Sequence, residues 1–422
     1  MKITNVFGYQ VLDSRGKPTV AASISLEDGT SHSARVPSGA STGKHEAKEL
    51  RDHQSHLAEQ YYGGNSVYLA IENINSKIAP EIVGLQSDLE SVDQRIIDLD
   101  PSPDHSLLGA NATLAVSLAA AMASAHAKKV SLARSFQPDG NLLLPMPMVN
   151  ILSGGAHANR TLDIQDVLAI PVGAQSFTEA LSWIVAIREA AASMGREAGK
   201  ITHLVADEGG LGIPFDSMED ACIFVMDAIE SVGLNVGIDV ALALDVAATQ
   251  FFENGLYHLR TEGESYSAED FVDYLNGLVS NLPIISIEDP FAEDDWKSWA
   301  AFTSIAPKDL QILGDDLLTT SASRLKTAIS ERAANAILIK ANQNGLVSAT
   351  HQVLKSAQSQ NFATVVSARS GETEDSWLAD LATGWRAGQI KVGSTHGSER
   401  NAKWNRLLEL EATEQTEFSR PF

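Results

Sequence analysis

Short apolar runs recur through the second half of the chain, and each of them ends in a charged residue. These charged residues are Asp245, Glu288, Asp315, Lys340, Arg369 and Lys391. Except for the first, the sequence separations between consecutive charged residues are long enough for one strand, one helix and two loops. This is the repeat of a parallel sheet with crossover helices. This spacing predicts a β/α barrel.

The carboxyl ends of the strands in such a barrel converge on one face, where catalytic groups are built. We therefore expect three carboxylates, two lysines and an arginine to point into one small volume. Any one of them alone is more simply an ordinary charge where a buried strand emerges into a loop. Six of them in register favour a shared active site.

The first half of the chain has a different pattern. Residues 1–30 alternate apolar and polar positions around the turn-rich DSRGKP, which predicts a hairpin or small meander. Helices are predicted for HEAKELRDHQSHLAEQY and ANATLAVSLAAAMASAHAKK. Because Pro, Gly, Asp and Asn cluster in ARSFQPDGNLLLPMP, we expect a smaller α+β domain over residues 1–133 and the barrel over 134–422.

Charge and composition limit the partners. The formal net charge of −23 disfavours a nucleic-acid partner, because phosphate backbones are bound by clustered Lys and Arg. An anionic substrate then requires a pocket that local cations or metals make positive. The single cysteine, Cys222, excludes an intrachain disulfide and indicates a reducing compartment. Since no apolar run matches a signal peptide or a membrane span, we expect a cytoplasmic protein.

The strand-end residues suit one kind of chemistry. Asp245, Glu288 and Asp315 are hard oxygen ligands without neighbouring Cys or paired His, which favours Mg²⁺ over zinc. The alternative, three solvated acids, is weakened because crowded carboxylates repel one another unless a cation neutralises them. Lys340 is next along the chain, and burial beside a metal would lower its pKa and make it a general base. Proton abstraction next to a metal-bound carboxylate is the reaction that this set supports.

Other segments suggest the remaining roles. Glu208 in DEGG is a candidate general acid, although DEGG is also a common turn. Arg369, with Ser370 and Lys391, could bind phosphate or carboxylate, although lone strand-end arginines are more often structural. The loops PSGASTG and LSGGAHAN have the composition of closing lids, or simply of turns.

Ten segments resemble the motifs of the enolase family, in that family's order and spacing over essentially the whole chain. They are DSRGKPTV, VPSGASTG, LPMPMVNILSGGAHAN, ADEGG, LALDVAA, SIEDP, GDDLL, ILIKANQNG, SARSGETED and GQIKVGS. The resemblance implies an N-terminal α+β domain and a barrel whose first strands depart from simple β/α alternation. It also implies a glycolytic lyase that reversibly dehydrates 2-phosphoglycerate, a phosphorylated hydroxy acid, to phosphoenolpyruvate.

The resemblance assigns a role to each residue. Lys340 would remove the C2 proton, and Glu208 would protonate the leaving hydroxyl. The metal ligands would be Asp245, Glu288 and Asp315 for the first of two Mg²⁺ ions, with Ser41 helping to hold the second. The expected substrate-binding residues are His157, Gln165, Asp166, Arg369, Ser370 and Lys391. A homodimer or a larger homo-oligomer is implied as well.

Four positions depart from the family pattern. They are Ala368 for the usual His, Asp166 for Glu, Ser153 for Asn and Gly397 for Arg. These changes lie around the residues expected to bind the substrate phosphate and around the expected general acid, which we call the phosphate end and the acid side. They leave open the alternative that the protein is an enolase paralogue of secondary metabolism, which acts on a phosphonate or carboxy-phospho analogue. A non-catalytic binding protein is a third alternative, which the retained acid, base and metal ligands disfavour.

Overall fold

A three-stranded antiparallel sheet begins the chain in the computed structural model, which describes residues 1–40, 43–55 and 61–422. The strands are β1 (Ile3–Leu12), β2 (Pro18–Leu26) and β3 (Ser31–Arg35). The turn between the first two contains Gly16 with a φ of 69°, a left-handed conformation that glycine adopts without steric cost. This sheet confirms the meander predicted from the alternating pattern.

Helices follow and cover one face of this sheet. The helices described in this part are α1 (Tyr68–Asn73), a π-helical turn (Ile74–Ile78), α2 (Ala79–Ile82), α3 (Leu89–Leu99), α4 (Ala110–Lys128) and α5 (Leu132–Phe136). Helix α4 is buried over most of its surface and packs against β2 and β3. Its many alanines and serines allow this close approach, which confirms the predicted helix of small residues.

The helix predicted from HEAKELRDHQSHLAEQY is wrong for the described residues of that segment. Residues 47–51 have no regular secondary structure, and only a short 3₁₀ turn (Asp52–Gln54) follows them. The backbone amides bond elsewhere: Ala47 donates to the Gln343 carbonyl at 2.9 Å and Lys48 to the Asp104 carbonyl at 2.8 Å. Tertiary partners thus replace the i to i−4 bonds of a helix, which charge spacing alone does not reveal.

The second part of the chain alternates strands and helices. The strands are β4 (Leu142–Leu144), β5 (Met146–Ser153), β6 (Asp166–Ile170), β7 (Ala241–Asp245), β8 (Phe252–Glu253), β9 (Leu256–Leu259), β10 (Glu264–Tyr266), β11 (Ile284–Glu288), β12 (Gln311–Gly314), β13 (Ala336–Ile339), β14 (Ala363–Ser367), β15 (Gly388–Lys391) and β16 (Thr416–Phe418). The helices are α6 (Phe177–Glu197), α7 (Met218–Ser231), α8 (Ala268–Asn281), α9 (Trp296–Ile305), α10 (Ala322–Glu331), α11 (Ala341–Asn344), α12 (Val347–Ser359), α13 (Trp377–Gly384) and α14 (Ser398–Thr413).

Eight of these strands close into a barrel in the order β5, β6, β7, β11, β12, β13, β14, β15. Strand β6 pairs antiparallel with both of its neighbours, whereas the other neighbouring pairs are parallel. This confirms the barrel, including first strands that depart from simple β/α alternation. The small sheet β8–β10 and the pair β4 and β16 lie outside it.

Register brings the strand ends to one rim of the barrel. Glu288 pairs with Asp245 across β11 and β7, and Asp245 pairs with Asp166 across β7 and β6. Lys391 pairs with Ser367 across β15 and β14. Below this rim the barrel is filled by apolar side chains such as Met148, Leu313 and Val365. The packed interior leaves the rim as the place for polar chemistry.

Helices complete the outer layer. The closing helix α14 confirms the expected C-terminal helix, and its Trp404 is buried. Cys222 is buried in α7, and burial raises the pKa of its thiol to about 12, so it packs as a small apolar residue. Within the described ranges, no helix is both long enough and apolar enough to cross a membrane.

Candidate active site

The six charged strand-end residues do converge on one rim. Five of them are buried, and the side chain of Lys340 is 12% exposed. Lys391 Nζ lies 2.6 Å from Asp245 Oδ2 and 2.7 Å from Glu288 Oε2. Lys340 Nζ forms an ion pair with Asp315 Oδ2. Each of the three carboxylates expected to bind metal is therefore paired with one of the two lysines.

Neighbouring carboxylates raise the pKa values of both lysines. Burial alone would lower the pKa of Lys340, but Asp315 and Glu288 outweigh it and raise the pKa. Burial is likewise outweighed at Lys391, where Asp245 and Glu288 raise the pKa well above its ordinary value. The nearest charge to Lys340 is thus the Asp315 carboxylate, and the low pKa expected beside a bound metal ion stays a prediction.

The rim fits a hard divalent cation. Glu288 Oε1 is buried and accepts no hydrogen bond from any residue in the described ranges. Burial and the neighbouring Asp245 raise the pKa of Glu288 well above its ordinary value, as expected for carboxylates crowded without an ion. An orphaned carboxylate oxygen among oxygen donors is the environment that Mg²⁺ prefers.

Two further acids, Asp289 and Asp316, lie beside Asp315, and the sequence analysis did not identify them. Asp289 accepts hydrogen bonds from the backbone amides of Asp315 at 2.9 Å and Asp316 at 2.7 Å. One oxygen from each of the three acids lies within 4.8 Å of the others. Each of the segments IEDP and GDD contains two consecutive acidic residues, which could have indicated these additional acids. Asp289 thereby fixes the loop that presents Asp315.

The arginine end of the rim, formed by Arg369 and Ser370, is held in place by residues from the first part of the chain. Arg369 Nη1 donates to Glu46 Oε2 at 2.8 Å and to Asn342 Oδ1 at 3.1 Å. Ser370 Oγ accepts from Arg15 Nη1 at 3.3 Å and from the Ala40 amide at 2.7 Å. The sequence analysis did not identify Glu46 and Arg15, although Glu46 closely follows PSGASTG and Arg15 lies within the turn-rich DSRGKP. Both sequence-predicted residues of this end are thus ordered by contacts with the first domain.

Ala368 lies between the arginine end and the lysines. It is buried, and its amide donates to the Lys391 carbonyl at 2.9 Å. No titratable side chain therefore occupies this position, where the family pattern has a histidine. Ser41 lies outside the described residues.

The acid side lies at the same rim, where β5 ends and β6 begins. Glu208 Oε2 accepts from Asn150 Nδ2 at 3.1 Å, and Asp166 Oδ1 accepts from Ser153 Oγ at 2.7 Å. His157 lies between the two acids: its Nδ1 is 3.8 Å from Asp166 Oδ2, and its Nε2 is 3.9 Å from Glu208 Oε1. The structure thus brings the three predicted residues together.

The pKa values of the two acids in this group are shifted in opposite directions. Burial, reinforced by Glu208, raises the pKa of Asp166 well above its ordinary value. Burial acts in the same direction on Glu208, but His157 and Arg400 outweigh it and lower the pKa of Glu208. Of the two acids, Asp166 therefore has the greater tendency to hold a proton.

Gln165 supports the metal rim rather than the acid group. Its Nε2 donates to Asp245 Oδ2 at 2.9 Å, and its Oε1 accepts from Gln250 Nε2 at 2.8 Å. The loop before it closes on itself, since the Gly154 amide donates to the Gln165 carbonyl at 2.8 Å. In this conformation the LSGGAHAN segment forms a turn that places His157 inside the site.

Comparisons with known proteins agree with this geometry. The family described as enolase, N-terminal domain, matches residues 3–136, and the family described as enolase, C-terminal TIM barrel domain, matches residues 141–419. A protein named enolase from Wolinella succinogenes is 44% identical over 412 residues, which cover 97% of this chain and 96% of that protein. Similarity therefore extends over both parts of the chain.

Proposed function

The chain belongs to the enolase family and is a hydro-lyase of that type, and we propose that it reversibly dehydrates 2-phosphoglycerate to phosphoenolpyruvate. One observation carries the proposal: a mostly buried lysine, Lys340, and a buried acid pair, Asp166 and Glu208, border the same rim of crowded carboxylates. A base and an acid on either side of an anion-binding metal site are what an elimination of water requires.

Asp245, Glu288 and Asp315 would hold one Mg²⁺, and Ser41 would help to hold a second. Bound there, the ions supply positive charge where the substrate carboxylate becomes more negative as its α-proton leaves. The orphaned Glu288 oxygen and the crowding of carboxylates support this assignment.

Lys340 would remove the C2 proton. Its ion pair with Asp315 raises the pKa of the Lys340 ammonium. Coordination of a metal by Asp315 would weaken this attraction, and burial would then favour the neutral amine. A neutral, buried amine is able to accept a proton from carbon.

Glu208 would protonate the departing hydroxyl. The pKa of Asp166 is raised well above its ordinary value, and His157 lies between the two acids. We propose that Asp166 is the proton reservoir and that Glu208 faces the leaving group. The fixed orientation of Glu208 by Asn150 supports this role.

Arg369, Ser370 and Lys391 would bind the anionic ends of the substrate. Arg369 offers a planar fork suited to a phosphate, and its position is fixed by Glu46. Lys391 would exchange its contacts with Asp245 and Glu288 for substrate once metal neutralises them. Gln165 would orient Asp245.

The cellular setting is also a proposal. We propose a glycolytic, cytoplasmic enzyme that works as a homodimer or larger homo-oligomer, which the enolase family membership supports. We further propose domains over 1–133 and 134–422, a division that falls within α5.

An absorbance assay of enolpyruvate formation tests the proposed reaction. We expect turnover of 2-phosphoglycerate with Mg²⁺, and we expect chelation of the metal to abolish it. Lys340→Ala should be inactive, because no base then remains at that position. Inactivity of the parent with this substrate and saturating Mg²⁺ would reject the proposal.

A second candidate function rests on Ala368. Replacement of the family's histidine beside Arg369 leaves the phosphate end without a titratable group, which suits a phosphonate or carboxy-phospho analogue. If this candidate is correct, the parent turns over the phosphonate analogue and not 2-phosphoglycerate. Ala368→His combined with Asp166→Glu should then raise activity on 2-phosphoglycerate, and no gain would count against it.

A further inference from the structure

Arg400, near the start of α14, has a fully buried side chain to which the proposed reaction gives no role. Within the described residues its guanidinium donates four hydrogen bonds, and every acceptor is a backbone carbonyl. The acceptors are the carbonyls of Arg369 at 2.6 Å, Ser370 at 2.6 Å, Val392 at 2.9 Å and Asp207 at 3.4 Å. One cation therefore joins three segments that are far apart in the chain.

Each of these three segments carries a residue that is proposed to act on the substrate. The segment after β14 contains Arg369 and Ser370 themselves, which form the phosphate end. The carbonyls of the other two segments belong to the sequence neighbours of Lys391 and Glu208. Because the guanidinium is planar and presents its donors in a fixed fork, its hydrogen bonds set the spacing between the segments.

Two glycines give Arg400 and its neighbour the space that this arrangement needs. A Cβ on Gly393 would lie 2.7 Å from the Glu208 carbonyl oxygen and 3.1 Å from Arg400 Cδ. Gly397, one of the four departures from the family pattern, has a φ of 94°, and a Cβ there would lie 2.6 Å from Glu399 Oε1. The same Glu399 oxygen lies 3.4 Å from Arg400 Nε. Glycine at position 397 thus lets Glu399 turn toward the cation and orient it.

We propose that Arg400 is a positioning residue for the dehydration, which holds the phosphate end and the acid side at the separation that the substrate requires. This inference rests on the proposed function, which defines those two ends. Without the guanidinium, buried carbonyls lose their donors and the segments are free to move relative to one another. A shift of about 1 Å in a reacting group lowers a rate by about 100-fold.

Arg400→Lys tests the proposal because it keeps the charge and removes the planar fork. We expect kcat for 2-phosphoglycerate to fall by about 100-fold. We also expect the Kd of inorganic phosphate, measured by equilibrium dialysis with saturating Mg²⁺, to rise about tenfold, since Arg369 and Ser370 are no longer held in place. A residue that only stabilises the fold would lower the amount of active protein and leave this Kd unchanged.

Arg188→Lys is the matched control. Arg188 is also a buried arginine, and it donates to the Gly209 carbonyl at 3.0 Å and to Ser394 Oγ at 3.1 Å. Among the described residues it has no hydrogen bond to the phosphate end, so its replacement should leave the Kd of inorganic phosphate at the parent value. A Kd in Arg400→Lys equal to that of the control would overturn the proposal.

Glu399→Gln covers the case in which Arg400→Lys does not fold. The glutamine keeps the shape of the side chain and loses the charge that orients Arg400, so kcat and the affinity for inorganic phosphate should each fall roughly two- to fivefold. Glu409→Gln is its control, because Glu409 is on the same helix and pairs with Arg406 at the surface. It should change neither quantity. Parent values in Glu399→Gln would count against the positioning role.

The two readouts distinguish failure of this inference from failure of the proposed function. A parent that dehydrates 2-phosphoglycerate, with Arg400→Lys matching Arg188→Lys in phosphate affinity, would reject the positioning role alone. An inactive parent would reject the proposed function. The comparison of phosphate Kd values does not require turnover, so it would still show whether Arg400 orders Arg369 and Ser370.

Discussion

Ser153 and Asp166 form a buried pair in which each side chain depends on the other. They are opposite one another across β5 and β6, and the serine hydroxyl donates to Asp166 Oδ1 at 2.7 Å. A Cβ on Gly210 would lie 2.3 Å from Ser153 Oγ, so a glycine is required where the ADEGG turn passes over the hydroxyl. Ser153 thus connects the turn that carries Glu208 with the second acid.

Ser153→Ala should destabilise the protein and slow the reaction. A buried carboxyl that loses its donor costs about 1–3 kcal/mol, and kcat should fall because Asp166 is no longer oriented. Denaturant unfolding and steady-state kinetics measure the two effects. Ser124→Ala is the matched control, because Ser124 Oγ is buried without a partner among the described residues. Equal effects of the two substitutions would contradict a role for the Ser153 hydrogen bond.

Roles at the residue scale are only partly readable from sequence. Asp245, Glu288 and Asp315 are predictable because each ends a strand, and strand ends must meet at the rim of a barrel. Glu46 is not predictable in this way, since its contact with Arg369 joins residues far apart in the chain. Protonation is least predictable, because the pKa of Lys340 depends on which charges surround it.

At the scale of elements, the segment around Glu46 acts as a brace between the first domain and the barrel. Its backbone amides bond to Gln343 and Asp104, and its carboxylate pairs with Arg369. Side-chain exposure is 3% for Arg369 and 7% for Glu46. The segment forms these tertiary contacts and not the hydrogen bonds of a helix. This explains why the periodicity of its charges wrongly predicts a helix.

Glu46→Gln should therefore destabilise the protein strongly. Removal of one partner from a buried ion pair leaves an uncompensated charge and costs about 3–5 kcal/mol. The exposed pair between Arg386 and Glu417 supplies the control, in which Glu417→Gln should cost less than about 1 kcal/mol. Urea unfolding of both variants and the parent at one pH measures the two losses in the free energy of unfolding. A Glu46→Gln variant as stable as Glu417→Gln would show that the brace contributes little.

Asp93 in α3 makes the junction with α12 sensitive to pH. Its Oδ2 accepts from the Ser348 amide at 3.0 Å, and burial raises its pKa from 3.8 to about 6. The unfolded chain then releases this proton at lower pH than the folded protein does. The contribution of Asp93 to stability is therefore fully present below pH 4 and is lost as pH rises to 6, by at most about 3 kcal/mol.

Asp93→Asn should remove this pH dependence. The amide cannot ionise, so the free energy of unfolding of the variant relative to the parent should increase between pH 4 and pH 6. Urea denaturation at several pH values in this window measures the difference. A difference that is constant across the window would contradict the raised pKa of Asp93.

At the scale of the whole molecule, the distribution of charge determines what the site needs. The sequence predicts a locally positive pocket in a chain of net charge −23. In the structure, however, Lys340, Lys391 and Arg369 each pair with a carboxylate. An anionic substrate therefore needs positive charge beyond these side chains, which supports a dependence on bound divalent ions.

The barrel itself was predictable at this scale, because a regular spacing of buried strands leaves few topologies. A departure of the first strands from simple β/α alternation followed only from the family resemblance, and the antiparallel direction of β6 was not predicted, since its short apolar run looks like that of any buried strand. The pairing of cations with acids was not predictable from spacing, as it depends on the directions of side chains around the rim.

Exchange of the C2 proton of 2-phosphoglycerate in D₂O, followed by NMR with saturating Mg²⁺, separates the base from the acid. Lys340→Ala should abolish both exchange and dehydration. Glu208→Gln should retain exchange while dehydration is lost, because the proton leaves before the hydroxyl is protonated. Parent-like exchange in Lys340→Ala, or the loss of exchange in Glu208→Gln alone, would contradict the division of roles between Lys340 and Glu208.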